Sequence, residues 1–125
     1  MKEDEVLALV QKEKGHFCPD GVWVELQKYL VPPRVTVRHW QYGPPYEHNC
    51  WIIAESPADD YFLVYCTTAF GPDFPWGLQR KSERNMGMDD VWYAYLYEAF
   101  IVSPLWTGED PTGFTLMGPG ERERL

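Results

Sequence analysis

Two strongly apolar segments joined by a short turn limit the folds open to this chain more than any other feature. The runs NCWIIAE (49–55) and YFLVYCTTA (61–69) are apolar at consecutive positions, which is typical of strands buried on both faces. The SPADD between them contains proline and aspartate residues that suit a hairpin loop. We therefore predict two central antiparallel strands, covered by helices on one side and by other structure on the opposite side.

The same turn predicts the register of the two strands. A symmetric loop over 56–60 places Ile52 opposite Val64 and Cys50 opposite Cys66. Two opposed cysteines could form a disulfide. The chain has only three cysteines, however, and an odd number favours buried, reduced thiols that pack as small apolar side chains.

The N-terminal third predicts two helices and one further strand. Helical spacing of the apolar residues in DEVLALVQKEKG predicts a first short helix. The run CPDGVWVELQKYL fits a helix or a strand, and Pro19 followed by Asp20 at its start favours the helix. Alternation in RVTVRH predicts a half-exposed strand, and the change of phase at His39 predicts a bulge there.

The second half of the chain predicts one more strand and the longest helix. WGLQ reads as a fourth strand after a long connection. In MDDVWYAYLYEAFIVS an aspartate can cap a helix whose apolar residues share one stripe and which ends before Pro104. FTLM predicts a short strand, and the glycine-rich, charged segment 118–125 predicts a frayed tail.

Composition and charge exclude several classes of function. The net charge of −8 would repel a phosphate backbone, so we expect no nucleic-acid partner. The most apolar stretch, 91–106, is interrupted by Glu98 and Pro104 and is too short and polar to span a bilayer. The opening MKEDEVLALVQKEKG lacks the pattern of a signal peptide, which together with the cysteine count predicts a cytoplasmic protein.

Aromatic residues are abundant, at 16% of the chain, and six of them near the first turn and in the long connection are candidates for a binding site. These candidates are Trp40, Tyr42, Tyr46, Trp51, Phe74 and Trp76. Three interpretations remain open: a second, smaller core on the sheet face away from the helices, a protein interface, or a pocket for a flat or sugar-like ligand.

A repeated His-x-Cys motif raises the question of a metal site. It occurs at 16–18 and 48–50, and two imidazoles with two thiolates would supply the four ligands that zinc prefers. A domain of this length does not need a metal to fold, and structural zinc sites usually have tighter spacing. We therefore predict no metal ligand and no cofactor.

A cysteine nucleophile is the second chemical alternative. Cys50 or Cys66 would attack, with His39 or His48 as the base. Both cysteines lie in strands predicted to be buried, where a thiol is inert and its pKa rises. We therefore predict no catalytic residue.

One set of short motifs resembles a known group of proteins. The pattern Pro-Trp-Gly, then Gly-Met-Asp-x-x-Trp, then Leu-x-x-Ala-Phe is similar to small bacterial proteins encoded by integron gene cassettes and other mobile elements. It is carried here by Pro75, Trp76, Gly77, Gly87, Met88, Asp89, Trp92, Leu96, Ala99 and Phe100. The resemblance implies a bacterial, mobile-element context and supplies no catalytic residues.

Together these patterns predict a single α+β domain over residues 1–125. It has two N-terminal helices, a mainly antiparallel sheet of four to five strands and one long helix packed on the sheet. The favoured function is that of a non-enzymatic binding or interaction protein that associates with itself, as a homodimer, or with a protein partner through an aromatic surface. The alternative is a small-molecule-binding protein or small enzyme with an aromatic-lined pocket between the 70–88 loop and the sheet.

Overall fold

A five-stranded antiparallel sheet and three α-helices make up the part of the chain that the computed structural model describes, residues 1–40, 46–87, 89–111 and 114. The helices are α1 (Glu3–Lys12), α2 (Asp20–Gln27) and α3 (Leu96–Val102). The strands are β1 (Leu30–His39), β2 (Glu47–Glu55), β3 (Tyr61–Tyr65), β4 (Trp76–Arg80) and β5 (Trp92–Tyr93), in that spatial order. This is the predicted α+β class, with both N-terminal helices present. Within the described ranges no helix is long and apolar enough to cross a membrane.

The sheet separates two apolar clusters, which we name by the side on which they lie. On the helix face, Ile53 and Leu63 of the central strands pack with buried residues of all three helices, such as Val10 and Phe100. On the loop face, alternate residues of the same strands pack with the connections that precede β4 and β5. The central strands are therefore buried on both sides, as their continuous apolar sequence predicts.

The predicted register between β2 and β3 is confirmed at Trp51 and Ile52, on one side of a β-bulge. Ile52 pairs with Val64 and Trp51 with Tyr65. The register then shifts between Ile52 and Ala54, so that the extra residue turns toward the helix face and both Ile53 and Ala54 are buried there.

The bulge predicted at His39 is not present. β1 pairs with β2 without interruption from Arg34 to His39, and its irregularity lies instead between Leu30 and Arg34, where two prolines interrupt the strand. The change of apolar phase has another cause. Val35 and Val37 lie on the helix face, whereas Trp40 packs into the loop-face cluster, so the strand changes the face that it buries.

The C-terminal helix is shorter than predicted. It begins at Leu96, and the residues before it form a short 3-10 turn (Asp89–Val91) followed by β5. Trp92 pairs with Gly77 and belongs to the loop-face cluster, whereas Tyr93 belongs to the helix-face cluster. Neighbouring side chains on opposite faces are typical of a strand, so pairing with β4 prevents the helix from starting earlier.

The segment between β4 and β5 crosses the loop face and reaches the far edge of the sheet. The amide of His39 donates to the carbonyl of Arg84 (2.8 Å), and the amide of Met86 donates to the carbonyl of His39 (3.2 Å). These bonds occupy the outer edge of β1 at its C-terminal end. The predicted tail at 118–125 lies outside the described residues, as does FTLM apart from Phe114.

Candidate functional site

The aromatic candidates do not assemble into one surface. Trp51 and Trp76 lie on the helix face, and Trp76 is almost fully buried against Tyr65 (ring centroids 4.8 Å apart). Trp40 and Phe74 lie on the loop face, as parts of the second core. Tyr46 is exposed, and Tyr42 lies outside the described residues.

The two His-x-Cys motifs are also used separately. His16 stacks on Tyr95 with ring centroids 4.3 Å apart, and Cys18 beside it is exposed. Cys50 is buried in the sheet. Among the residues that the structure describes, no group of three or more His, Cys, Asp or Glu side chains is placed to hold a metal ion.

Cys50 and Cys66 lie side by side on the loop face. The β2–β3 register places them opposite each other, one step beyond the Trp51–Tyr65 pair, and Cys50 Sγ lies 4.0 Å from the carbonyl oxygen of His48. Both are buried, Cys50 completely and Cys66 with 3% of its surface exposed. All three cysteines of the chain carry free thiols.

A short chain of hydrogen bonds leads from Cys66 toward the surface. Cys66 Sγ lies 3.4 Å from Thr68 Oγ1, and Thr68 Oγ1 lies 2.7 Å from His48 Nδ1. Thr68 is exposed and His48 is half-buried, so this chain connects a buried sulfur to a base that water can reach. A hydroxyl can donate one proton and accept another, which allows proton transfer between the thiol and the imidazole.

The two thiols are electrostatically unequal. The hydrogen bond from Cys50 lowers the pKa of Cys66, and the Thr68 hydroxyl and the amides of Thr68 and Ala69 lower it further against the opposing effect of burial. The same thiol–thiol hydrogen bond, together with burial, raises the pKa of Cys50. Of the two thiols, Cys66 therefore has the lower pKa.

Comparison of the chain with protein-family models, with curated proteins and with solved structures finds no match in any of the three. The resemblance to integron-cassette proteins therefore stays a prediction.

A buried arginine lies near the thiol pair. Arg38 donates from Nη1 to the carbonyls of Arg80 (3.1 Å) and Glu83, and its guanidinium lies 4.6 Å from the centre of the Phe62 ring. Burial lowers the pKa of Arg38. Its Nε has no hydrogen-bond partner within the described residues. These bonds fasten β1 to the segment that crosses the loop face.

A cavity of about 360 Å³ lies between β4 and the segment 83–91. Its walls include Gln79, Val91 and one aromatic residue, Tyr61, and of the loop 70–88 only residues after β4 line it, namely Glu83, Asn85 and Gly87. Gln79 is buried, and its Nε2 donates to the carbonyls of Leu78 and Met86. Its Oε1 has no partner among the described residues.

A second cavity, of about 340 Å³, lies on the sheet next to Met1, just before the start of α1. Met1, Val35, Trp51, Tyr65 and the segment 66–68 line it. Met1, Val35 and the neighbouring Val37 are all exposed. Met1, the two valines and the aromatic residues form an apolar patch, flanked by the polar residues Asn49 and Thr67, on a part of the helix face that the helices leave uncovered.

The outer edge of β1 offers unpaired backbone groups. The amide of Trp40 donates to the carbonyl of Tyr46 in β2's direction, across the β1–β2 hairpin. The amide of His39 points away from β2 and donates to the carbonyl of Arg84. Because strand residues alternate in direction, the amides and carbonyls of Val35 and Val37 also point outward. In the described part of the chain they have no partner outside the ladder.

Sequence reasoning missed Thr68 and the two valines as candidate functional residues. Thr68 follows the end of β3 at a bend, and this bend, which has no clear signal in the sequence, brings its hydroxyl to the Cys66 sulfur. The alternation of Val35 and Val37 with polar residues predicts a half-exposed strand. Only the strand order, which the sequence does not contain, places that strand at the edge.

Proposed function

We propose that the protein is an interaction protein that self-associates, with a second copy binding along the outer edge of β1. The observation that carries this proposal is the position of Val35 and Val37 at the edge of the sheet. Their backbone groups are unpaired, and their exposed side chains adjoin the apolar patch. Exposed edge strands of this kind are templates for pairing with another strand. The aromatic contribution comes from Trp51 and Tyr65, which line the adjoining cavity.

The free part of the edge has defined ends. Pro33 has no amide to donate, and the backbone groups of His39 are already bonded to Arg84 and Met86. Pairing with a second copy is therefore centred on Thr36. In an antiparallel arrangement around a two-fold axis, Val35 of each copy lies opposite Val37 of the other, and each pair exchanges two hydrogen bonds.

Side-chain properties favour the same arrangement. β1 carries no acidic residue in a chain with a net charge of −8. Its exposed Arg34 is ion-paired with Glu55 (2.8 Å), so the edge brings little unbalanced charge to the contact. The valines of the two copies would face each other on the helix face and cover the apolar patch. The paired sheets would then form one continuous sheet.

Light scattering after size-exclusion chromatography tests the proposal. The wild-type protein should show a mass that approaches twice the 14.6 kDa of the monomer as its concentration rises to about 1 mM. Val37→Lys should remain monomeric and folded, because it places two like charges at the centre of the contact. A wild-type protein that stays monomeric over the whole range contradicts the proposal.

A lysine elsewhere on the surface provides the matched control. Val102 in α3 has 42% of its surface exposed, close to the 46% of Val37, and it lies away from β1. Val102→Lys should associate like the wild type. Because each copy carries a net charge of −8, added salt should strengthen association.

The cavity between β4 and the segment 83–91 supports a second candidate function, the binding of a small molecule. The supporting observation is the unpaired Oε1 of Gln79, whose amide nitrogen is committed to two carbonyls so that the oxygen must face another donor. A ligand for this cavity needs an N–H or O–H group. A strictly monomeric protein would favour this function over self-association.

A cytoplasmic location and a bacterial, mobile-element context belong to the same proposal. They are supported by the three free cysteines and by the resemblance of the motif that includes Pro75, Gly87 and Phe100.

A further inference from the structure

The geometry of the two buried cysteines permits a bond between them. The amide of Cys66 donates to the carbonyl of Pro75 (2.9 Å), on the side of β3 that faces β4. The backbone groups of Cys50 point toward Thr36 of β1, by the alternation that begins with the Trp40–Tyr46 bond. Cys50 and Cys66 therefore form a non-hydrogen-bonded pair across β2 and β3.

Strand geometry sets the distance between them. The α-carbons of a non-hydrogen-bonded antiparallel pair lie about 4.5 Å apart. Disulfides join residues whose α-carbons are roughly 4.4–6.8 Å apart. A disulfide between these two positions therefore requires rotation of the side chains and little movement of the backbone.

We infer that Cys50 and Cys66 form a dithiol site that reacts with small hydroperoxides, with Cys66 as the nucleophile, Cys50 as the resolving thiol and an intramolecular disulfide as the product. This reaction is independent of the proposed self-association.

Access distinguishes the two sulfurs. Cys66 keeps 3% of its surface exposed and its Sγ contacts the exposed Thr68, whereas Cys50 is completely buried. Hydrogen peroxide is only slightly larger than water, so it can approach Cys66 on the loop face, beside Thr68. Bulkier oxidants are excluded by the burial of the thiol.

The hydrogen-bond chain provides the activation of Cys66. The two contacts fit a thiol state in which Cys66 donates to Thr68 Oγ1 and the Thr68 hydroxyl donates to His48 Nδ1. Transfer of both protons leaves a thiolate that accepts from Thr68 and an imidazolium that donates to Thr68. Both distances suit both states, and the amides of Thr68 and Ala69 hold the thiolate.

Groups from three strands determine the charge around the pair. Arg38 of β1 is close enough to Cys50 for its positive charge to act against the rise in the pKa of that thiol. His48 belongs to β2, and Tyr65 lies beside Cys66 on β3. Burial raises the pKa of Tyr65, as does negative charge on Cys66, so the tyrosine stays neutral when the thiolate forms.

The reaction balances with hydrogen peroxide as the oxidant. The Cys66 thiolate attacks one oxygen, the O–O bond breaks, and the departing hydroxide takes the proton held by His48 and leaves as water. Cys66 is then a sulfenic acid. The sulfur of Cys50 attacks the Cys66 sulfur, its proton goes to the departing hydroxyl group, and a second water leaves. Two thiols are oxidised and one peroxide is reduced.

The test uses the full-length Cys18→Ser protein, which removes the exposed third thiol. After reaction with one equivalent of hydrogen peroxide at pH 7, the protein should lose both remaining thiols and the mass of two hydrogen atoms. Trypsin leaves both cysteines on one peptide, because no Lys or Arg lies between Arg38 and Arg80. A protease that cleaves after glutamate cuts at Glu55 and should release two peptides joined by the disulfide.

Variants assign the two roles. Cys50→Ser should stop at a Cys66 sulfenic acid that dimedone traps, whereas Cys66→Ser should leave Cys50 unreactive. Cys50→Ala replaces Cys50→Ser if circular dichroism shows that the serine variant is unfolded. The inference is overturned if the folded Cys18→Ser protein keeps both thiols in excess peroxide, or if Cys50 reacts equally well without Cys66.

Three further variants test the role of Thr68 as a positioning residue. Thr68→Val should slow the oxidation at pH 7 by at least about tenfold and move its half-maximal pH upward, because the thiolate loses a donor and its path to His48. Thr68→Ser should restore the wild-type profile. Thr67→Val, at the neighbouring position in the chain, should leave the profile unchanged. An unshifted pH profile in Thr68→Val contradicts the relay.

Discussion

Phe100→Ala should lower the free energy of unfolding by about 3–5 kcal/mol, the range for removing a buried phenylalanine. Phe100 is fully buried in α3, with its ring centroid 5.8 Å from that of Trp106 and 6.4 Å from that of Tyr29. Truncation leaves a cavity between α3 and the sheet that these large rings cannot easily fill. Urea unfolding followed by circular dichroism measures the loss.

An exposed residue of the same helix is the control for this prediction. Val102 lies two residues further along α3 with its side chain in solvent. Val102→Ala should change stability by no more than about 0.5 kcal/mol. If Phe100→Ala is as mild as the control, Phe100 is not part of the core and the packing of α3 on the sheet is incorrect.

Trp92→Ala should have a similarly large effect, about 3–5 kcal/mol, from the opposite face of the sheet. Trp92 is fully buried in the loop-face cluster, and its indole Nε1 donates to the carbonyl of Met86 (2.9 Å). Its removal empties the centre of the second core and frees the segment before β5. Thermal and urea unfolding measure the change, with Tyr46→Ala at an exposed aromatic position as the control.

Gly77 provides a sharper test of the same contact. A β-carbon added at Gly77 would lie 2.9 Å from the Trp92 ring, closer than real contacts allow. Gly77→Ala should therefore destabilise the wild-type protein by about 1–3 kcal/mol, and by much less in the Trp92→Ala background. Equal costs in the two backgrounds would mean that the ring does not lie over Gly77.

The central hairpin was predictable from the sequence because several constraints agree. The residues on both sides of 56–60 are apolar on both faces, which requires burial in the middle of a sheet, and the turn then determines the pairing of Ile52 with Val64. The opposed position of Cys50 and Cys66 follows from the same register. The bulge at Ile53 leaves no comparable mark in the sequence.

The length of the C-terminal helix was not predictable from periodicity alone. Trp92 and Tyr93 fit a helical stripe with Leu96, but pairing with β4 places them on opposite faces of the sheet. The glycine at position 77, which makes room for the Trp92 ring, lies in another strand. Tertiary contacts of this kind override local helix propensity.

The candidate sites likewise depend on strand order and long-range contacts, which local sequence patterns do not reveal. Trp40 and Trp51 are close in the chain, yet the hairpin places them on opposite faces of the sheet. The role of Val35 and Val37 depends on the strand order, and the contact between Thr68 and His48 joins residues that are 20 positions apart. Only the sulfur pair could be placed in advance.

Amide hydrogen exchange at Val35 and Val37, followed by NMR at increasing protein concentration, tests the central claim most directly. The amides of Thr36 and Arg38 point into the β1–β2 ladder and should be protected at every concentration. Those of Val35 and Val37 should exchange rapidly in dilute solution and become protected as the protein associates. If both exchange at the unprotected rate at all concentrations, a second copy does not bind along this edge.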